Sequence, residues 1–256
     1  MDNIKLMIRR LINSQIWLSR SFDKLLPMKY RIDGNQDYIK TLVPIYLKEN
    51  QTIYDVGGGK RPYLNADKKK ALNATLIGLD IDKEELQQAP EGTYDKIICA
   101  DIANYQGNQD ADIVICQALL EHVKDVENAF KAIASILKPG GLALIFVPSR
   151  NAVFARLNII LPQNIKKAIL HYVYPSTARV QGFPSYYDKC TPSEFKRLAA
   201  DNHLSVIEER YYYISSYFSF FFPAYLVWRL WILLFQALMK EQAAETFSFV
   251  IRKDQS

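Results

Sequence analysis

The sequence predicts an α/β fold: a seven-stranded, mostly parallel sheet with helices on both faces and a helical cap insertion. Three observations carry this expectation. Short runs rich in Ile, Val and Leu recur at residues 52–56, 75–79, 96–100, 113–116 and 142–147, the pattern of strands buried on both faces. Segments of helical composition separate these runs, and strand alternating with helix builds a parallel sheet. The chain has 256 residues, 49% of them hydrophobic and 23% charged, which suits one globular core with insertions and excludes disordered, fibrous and small disulfide-stapled classes.

The elements follow in order. Residues 1–31 form a basic amphipathic helix, in which seven basic residues stand against Asp2 and Asp23 and account for the whole net charge of +5. Apolar residues are spread there at helical spacing, so no secretory signal fits. A second helical stretch over residues 36–48 leads into the first strand. The clearest helix spans residues 119–137, where Leu120, Val123, Val126, Phe130, Ile133 and Ile136 recur at three- and four-residue steps. Lys138-Pro139-Gly140-Gly141 should stop it. Residues 151–190 interrupt the alternation with short helices at 153–160 and 163–172 and a loop rich in Pro, Tyr and Gly. Thr191-Pro192-Ser193-Glu194 then reads as an N-cap, a Pro at the first helical position and an acidic first turn, opening a helix to residue 202. Strands at 204–212 and 245–252 complete the sheet. The organisation expected is thus an N-terminal helix (1–31), a core of alternating strands and helices (32–150), a helical cap insertion (151–190) and the end of the core (191–256) with an apolar helical insertion at 213–240.

The chemistry gathers at strand ends. The first strand ends in Asp55-Val56 and breaks into Gly57-Gly58-Gly59, a turn that lets backbone approach a ligand closely. Pro62 stands where a dinucleotide fingerprint needs its last glycine, so pyrophosphate binding loses support. The second strand ends at Asp80-Ile81-Asp82, where a carboxylate can accept ribose hydroxyls. The third ends at Asp101-Ile102 and the fourth at Gln117. Taken singly, the glycines could form a plain tight turn, and Asp80 or Asp101 could be caps. A carboxylate after each of three successive strands points instead to a cofactor site. No Cys/His cluster of metal-binding spacing occurs. The three cysteines, Cys99, Cys116 and Cys190, cannot all pair, and two lie in apolar strand-like runs, which suits a reducing cytosol.

Across residues 51–149, with the strand order extending toward Arg252, the sequence resembles the class I S-adenosylmethionine-dependent methyltransferases of type 11, whose fold is Rossmann-like. The resemblance implies that Asp55, Gly57, Gly58 and Gly59 form the loop holding the methionine part of S-adenosylmethionine. It implies that Asp80 binds the ribose, Ile81 stacks on adenine, Asp101 and Ile102 lie at the adenine edge, and Gln117 faces the methionine moiety. Leu137 to Gly141 resembles the turn before the fifth strand of such enzymes. Arg61 replaces the usual third glycine of the first motif.

A sulfonium methyl group is already activated, so transfer is mainly a matter of proximity and orientation, with a base needed when the acceptor is an alcohol. His122, after the fourth strand, is the candidate base for O-methylation; a structural His bonding the loop is the other reading. Tyr186, Tyr187 and His171 in the cap are candidate acceptor contacts, suited to a sugar, a phenol or an isoprenoid ring, or else simple packing. The cap has no basic stripe with interleaved aromatics, so nucleic acid is not an expected partner.

From Tyr211 to Phe235 there are twelve aromatic residues in twenty-five. Pro223 and Arg229 argue against a spanning helix. From Pro223 a helix follows whose polar Arg229, Gln236 and Lys240 share a narrow stripe. A helix this apolar either packs in protein, as in a homodimer, or lies in the interfacial layer of a membrane. The first helix, with Ile4, Ile8, Leu11, Leu18, Phe22 and Leu25 on one face and Arg10, Arg20 and Lys24 available to anionic lipid, favours the membrane. The expectation is a peripheral, monotopic methyltransferase on the cytoplasmic side of the membrane, acting on a small, glycan or lipid-linked acceptor. A non-catalytic S-adenosylmethionine-binding subunit that docks on a membrane or partner is the alternative.

Overall fold

The computed structural model describes residues 2–160, 184–214 and 218–255. The expected helix at 163–172 and His171 lie outside them. Seven strands form one sheet: β1 (Thr52–Val56), β2 (Thr75–Asp80), β3 (Lys96–Cys99), β4 (Ala111–Gln117), β5 (Leu137–Pro148), β6 (Leu204–Tyr212) and β7 (Thr246–Lys253). Their order is β3-β2-β1-β4-β5-β7-β6. β1 to β5 pair in parallel, and β7 runs antiparallel to both of its neighbours. The order reverses beside β1, so the ends of β1 and β4 splay apart into the crevice where open α/β sheets bind ligands.

Alternation along the strands divides the core between the two faces. Tyr54, Val114, Cys116, Ile145 and Val147 face α6 (Val126–Ile136) and α8 (Pro192–Asp201) in one apolar cluster with Phe130, Ile133, Phe195 and Leu198. Ile53, Ile113, Ile115, Leu144 and Phe146 face the other way, onto Tyr38, Leu42 and Val43. Those three belong to a helical segment made of α2 (Gly34–Asp37), a π-type stretch (Tyr38–Leu42) and α3 (Val43–Tyr46). Two short helices, α4 (Ala66–Ala71) and α5 (Lys83–Gln87), complete the first half. Thr191 caps α8 as expected, its hydroxyl accepting from Glu194 N–H at 3.3 Å.

The helix expected over 119–137 is shorter. The Asp125 carboxylate accepts from Asn128 N–H at 2.9 Å and opens α6 only there, while Leu120–His122 forms a separate single 3-10 turn. All six periodic apolar residues are still buried. Lys138 to Gly141 is likewise no free turn but part of β5. Leu137 pairs with Ala111 and Leu142 with Ile113 across a bulge. Gly140 there adopts φ +80°, and a Cβ on Gly141 would stand 2.9 Å from the Ala111 carbonyl oxygen, so glycine lets the extra residues loop out without breaking the strand.

α1 (Asp2–Asp23) and α9 (Phe222–Met239), almost 200 residues apart, pack on each other. The Gln15 side chain accepts from Phe222 N–H at 3.0 Å, and Ser19 Oγ donates to the Ser219 carbonyl at 3.0 Å. Of the expected polar stripe, Arg229 is wholly buried and Gln236 accepts from the Tyr30 hydroxyl at 3.0 Å, whereas Lys240, just past the end of α9, is exposed. The outer stripe of the helix is Val227, Leu230, Trp231, Leu234 and Leu238, all exposed. Between β5 and α8 lies α7 (Val153–Ile160).

Candidate active site

The glycine turn after β1 is held from below. Asp55 is buried and accepts from Tyr63 N–H at 2.7 Å, with the Tyr94 hydroxyl at 3.5 Å. Burial pushes its carboxyl up to about 6, against the two hydrogen bonds. Gly57 adopts φ +79°, and a Cβ there would meet the Leu119 side chain at 2.8 Å. Its N–H donates to the Leu79 carbonyl at 2.8 Å, fixing the turn to β2.

Over this turn lies a cavity of about 600 Å³. Gly57, Asp80, Ile81, Asp101, Ile102, His122 and Tyr186 all line it, so the residues expected from three separate strand ends come together with the candidate base. The Asp80 carboxylate accepts from Asp82 N–H at 2.9 Å, and burial raises its pKa. Asp101 accepts from Ala103 N–H at 2.9 Å and from the Asn104 side chain at 3.1 Å. A backbone bare of side chains at Gly57, an acceptor carboxylate at Asp80 and apolar walls at Ile81, Ile102 and Leu119 fit the three parts of S-adenosylmethionine. The volume is that of a ligand pocket. Asp55, Gly58, Gly59 and Gln117 lie outside the lining. The first supports the loop, and Gln117 Nε2 donates to Asn35 Oδ1 at 2.8 Å.

His122 stands between this cavity and a second one of about 370 Å³. The second is lined by Asp33, Gly34 and Asn35 at the start of α2, Glu121, Phe146, Phe154, Ser185, Tyr187 and Ile214, among others. His122 Nδ1 lies 3.0 Å from the Pro184 carbonyl oxygen. A carbonyl only accepts, so Nδ1 carries the hydrogen and Nε2 the lone pair. Ser185 Oγ is 3.3 Å from the same nitrogen. Tyr186 and Tyr187, the two candidate acceptor contacts within the described residues, part company: Tyr186 borders the first cavity and Tyr187 the second.

Sequence reasoning missed the second cavity and two of its features. Asp33-Gly34-Asn35 looks in sequence like a helix start, which it also is, with Asp33 accepting from Gln36 N–H at 2.9 Å. Glu121 is 4% exposed, and burial pushes its carboxyl up to about 8. Its only sequence signal was its place beside His122.

A family model described as a methyltransferase domain matches residues 28–209. A ubiquinone biosynthesis O-methyltransferase of Albidiferax ferrireducens is 27% identical over 167 residues, covering 62% of this chain and 60% of its own length. The chain thus spans less than two thirds of that relative. Among solved structures, a phosphoethanolamine N-methyltransferase of Haemonchus contortus in complex with S-adenosyl-L-methionine superposes with a TM-score of 0.54 at 14% identity, covering 93% of this chain and 57% of that one. A methyltransferase of Methanosarcina mazei gives a TM-score of 0.52 at 14% identity over 84% and 98% of the chains. At those identities the structural likeness shows the fold.

Proposed function

Because the chain belongs to the class I S-adenosylmethionine-dependent methyltransferase family, we propose that it transfers the methyl group of that cofactor to a hydroxyl oxygen of a small, glycan or lipid-linked acceptor. The observation that carries this reading is the single cavity lined by Gly57, Asp80, Asp101 and His122. When bound, the cofactor supplies an electrophilic methyl carbon, which bonds to the acceptor oxygen as its bond to sulfur breaks and that electron pair stays on sulfur. The protein's own part is to hold and orient. Asp80 accepts the ribose hydroxyls, Ile81 and Ile102 flank adenine, and the Gly57 turn admits the methionine part. His122 Nε2 takes the acceptor's proton while Nδ1–H stays on the Pro184 carbonyl, which fixes the ring. The second cavity, on the other side of His122, suits the acceptor, with polar edges at Asp33, Asn35 and Ser185 and aromatic walls at Phe146, Phe154 and Tyr187. The O-methyltransferase name of the Albidiferax ferrireducens relative supports oxygen as the methylated atom. Isothermal calorimetry with S-adenosylmethionine or its demethylated product is the test. The parent protein should bind and Asp80→Ala should bind weakly; unchanged affinity in the variant removes the ribose assignment, and no binding by the parent removes the whole reading.

We further propose that the enzyme works at the cytoplasmic face of a membrane as a peripheral protein. The outer stripe of α9 and the exposed Met7, Leu11, Leu18 and Leu25 of the α1 region support this. The N-terminal charge suits anionic headgroups.

A further inference from the structure

We infer that the acceptor is an amphiphile whose hydroxylated head enters the second cavity while its apolar chain stays in the lipid layer against which α9 lies. This rests on the readings of the second cavity as the acceptor site and of α9 as lipid-facing, and it narrows the acceptor to the lipid-borne class. The second cavity is built on α9. Three of the segments that border it are tied to that helix or to the 3-10 turn that follows it (Lys240–Ala243). Arg229, on the inner face of α9, donates to the Tyr30 carbonyl at 2.7 Å and to the Tyr213 carbonyl at 2.5 Å. Asp33 to Asn35 follow soon after Tyr30, Ile214 follows Tyr213 directly, and all of them line the cavity. The third tie is Asn151 Nδ2, which donates to the Gln242 carbonyl at 3.1 Å and holds the entry to α7, whose Phe154 and Asn158 form the next stretch of wall. None of these segments lines the first cavity. The acceptor side of His122 thus sits on α9, and the cofactor side does not.

Distance and chemistry agree with that placement. A chain extends at most about 3.6 Å per residue, so Asp33 lies within about 11 Å of Tyr30, and the outer stripe of α9 is one helix diameter, about 10 Å, across from its inner face. The Tyr30 and Tyr213 rings meet edge to face with centroids 5.8 Å apart, which binds the two rim segments to each other as well as to Arg229. On α7, Leu157 shares a face with Phe154 and Asn158, and both Leu157 and Ile160 are exposed. The rim there is apolar, where a water-borne sugar would call for a polar one. At about 370 Å³ the cavity is at the small end of ligand pockets. It has room for a ring with its hydroxyls and none for a long chain beside it, so the chain leaves across the apolar rim.

Electron paramagnetic resonance on the full chain tests the placement. A nitroxide is attached at Leu157→Cys, on the rim, or at Glu84→Cys, on α5 beside the opposite edge of the sheet, each with the exposed Cys99 replaced by Ser. Oxygen concentrates in lipid, so on addition of phosphatidylglycerol vesicles its collisions with the nitroxide should rise severalfold at position 157 and stay unchanged at position 84. A protein that binds the vesicles without that rise turns the cavity away from lipid, which overturns the inference and leaves the peripheral reading standing. One that ignores the vesicles loses both. A second measurement reads the acceptor itself: labelled methyl from S-adenosylmethionine is offered to a total cell extract, and the products are parted between butanol and water. The label should enter the butanol. Label confined to the water overturns the inference while methyl transfer stands, and label in neither phase removes the transfer and the inference with it.

Discussion

The Arg229 guanidinium of α9 lies 2.9 Å from the Asp23 carboxylate of α1, and the Arg229 side chain is entirely removed from solvent. Two further N–H groups of Arg229 donate to the backbone carbonyls of Tyr213, at 2.5 Å, and Tyr30, at 2.7 Å. The Tyr225 hydroxyl donates to Asp23. The charge that would have kept α9 out of an apolar layer is therefore spent inside the protein, and the helix turns its leucines outward.

Arg229→Met should be strongly destabilising, by about 3–5 kcal/mol, because it leaves Asp23 buried without its partner. The double variant Asp23→Asn/Arg229→Met should recover part of the loss. Urea unfolding followed by circular dichroism measures both, and a single variant as stable as the parent would show that the pair does not hold the helices together.

The outer stripe predicts binding to lipid. Val227 is 69% exposed, Leu238 70%, Trp17 66% and Leu25 80%, in a region that carries Arg9, Arg10, Arg20 and Lys24. By length and composition residues 222–243 could also cross a membrane, yet the inward Arg229 and its partner on α1 suit a helix lying in the interface. The protein should float with vesicles containing phosphatidylglycerol, float less with phosphatidylcholine alone, and be released by Leu230→Ser/Leu234→Ser/Leu238→Ser. A parent that ignores both vesicles and sediments as a dimer gives the stripe to a second copy instead.

Periodicity and strand-end residues made the sheet, its two-faced core and the first cavity legible, because each depends on local pattern. Asp80 and Asp101 could be placed from the strands they follow. The start of α6 was not, since apolar spacing continues through Leu120 and Val123 while only the Asp125 cap ends the irregular turn. The bulge in β5 was hidden for a similar reason: Pro139-Gly140-Gly141 has the composition of a turn, and only pairing with β4 makes it strand. The second cavity depends on Asp33, Glu121, Tyr187 and Ile214 meeting across long separations, and no local pattern carries that. Arg229 looked in sequence like one polar residue of a stripe, and its direction was fixed by Asp23, 206 positions earlier.

Gly57→Ala should cut cofactor affinity by roughly tenfold or more. The substituted residue is strained at φ +79° and its Cβ meets Leu119, so the turn must shift where the ligand sits, at a cost of about 1–2 kcal/mol. Calorimetry reads it. Equal affinity in parent and variant would mean that the turn is not part of the binding surface.

His122→Ala should lower turnover by roughly 100-fold with cofactor binding retained, since the loss falls on proton transfer. Incorporation of labelled methyl from S-adenosylmethionine into a cell lipid extract measures it. Near-normal turnover would return His122 to a structural role and favour an acceptor that ionises unaided.

Stability should fall as the solution becomes more alkaline. Burial raises the carboxyls of Asp55 to about 6, Glu245 to about 7 and Glu121 to about 8. Their unfolded-state values lie near 4. Between those limits the folded protein binds more protons than the unfolded chain, so this contribution is complete below about pH 4 and is lost as pH rises through 6 to 8. Asp37, beside Arg210 and Tyr212, and Asp95, beside Lys69, act the opposite way: burial raises their proton affinity, but the hydrogen bonds and charges outweigh it and leave both below the usual value. What they contribute is lost only as pH falls below about 4. The two sets together place maximum stability near pH 4. Each fully titrating buried carboxyl changes unfolding free energy by about 1.4 kcal/mol per pH unit. Urea midpoints at pH 5 and pH 8.5 should therefore differ clearly in favour of pH 5, and Glu121→Gln/Glu245→Gln should flatten the difference. A parent more stable at pH 8.5 would show that these carboxyls keep their protons no more tightly in the fold than out of it.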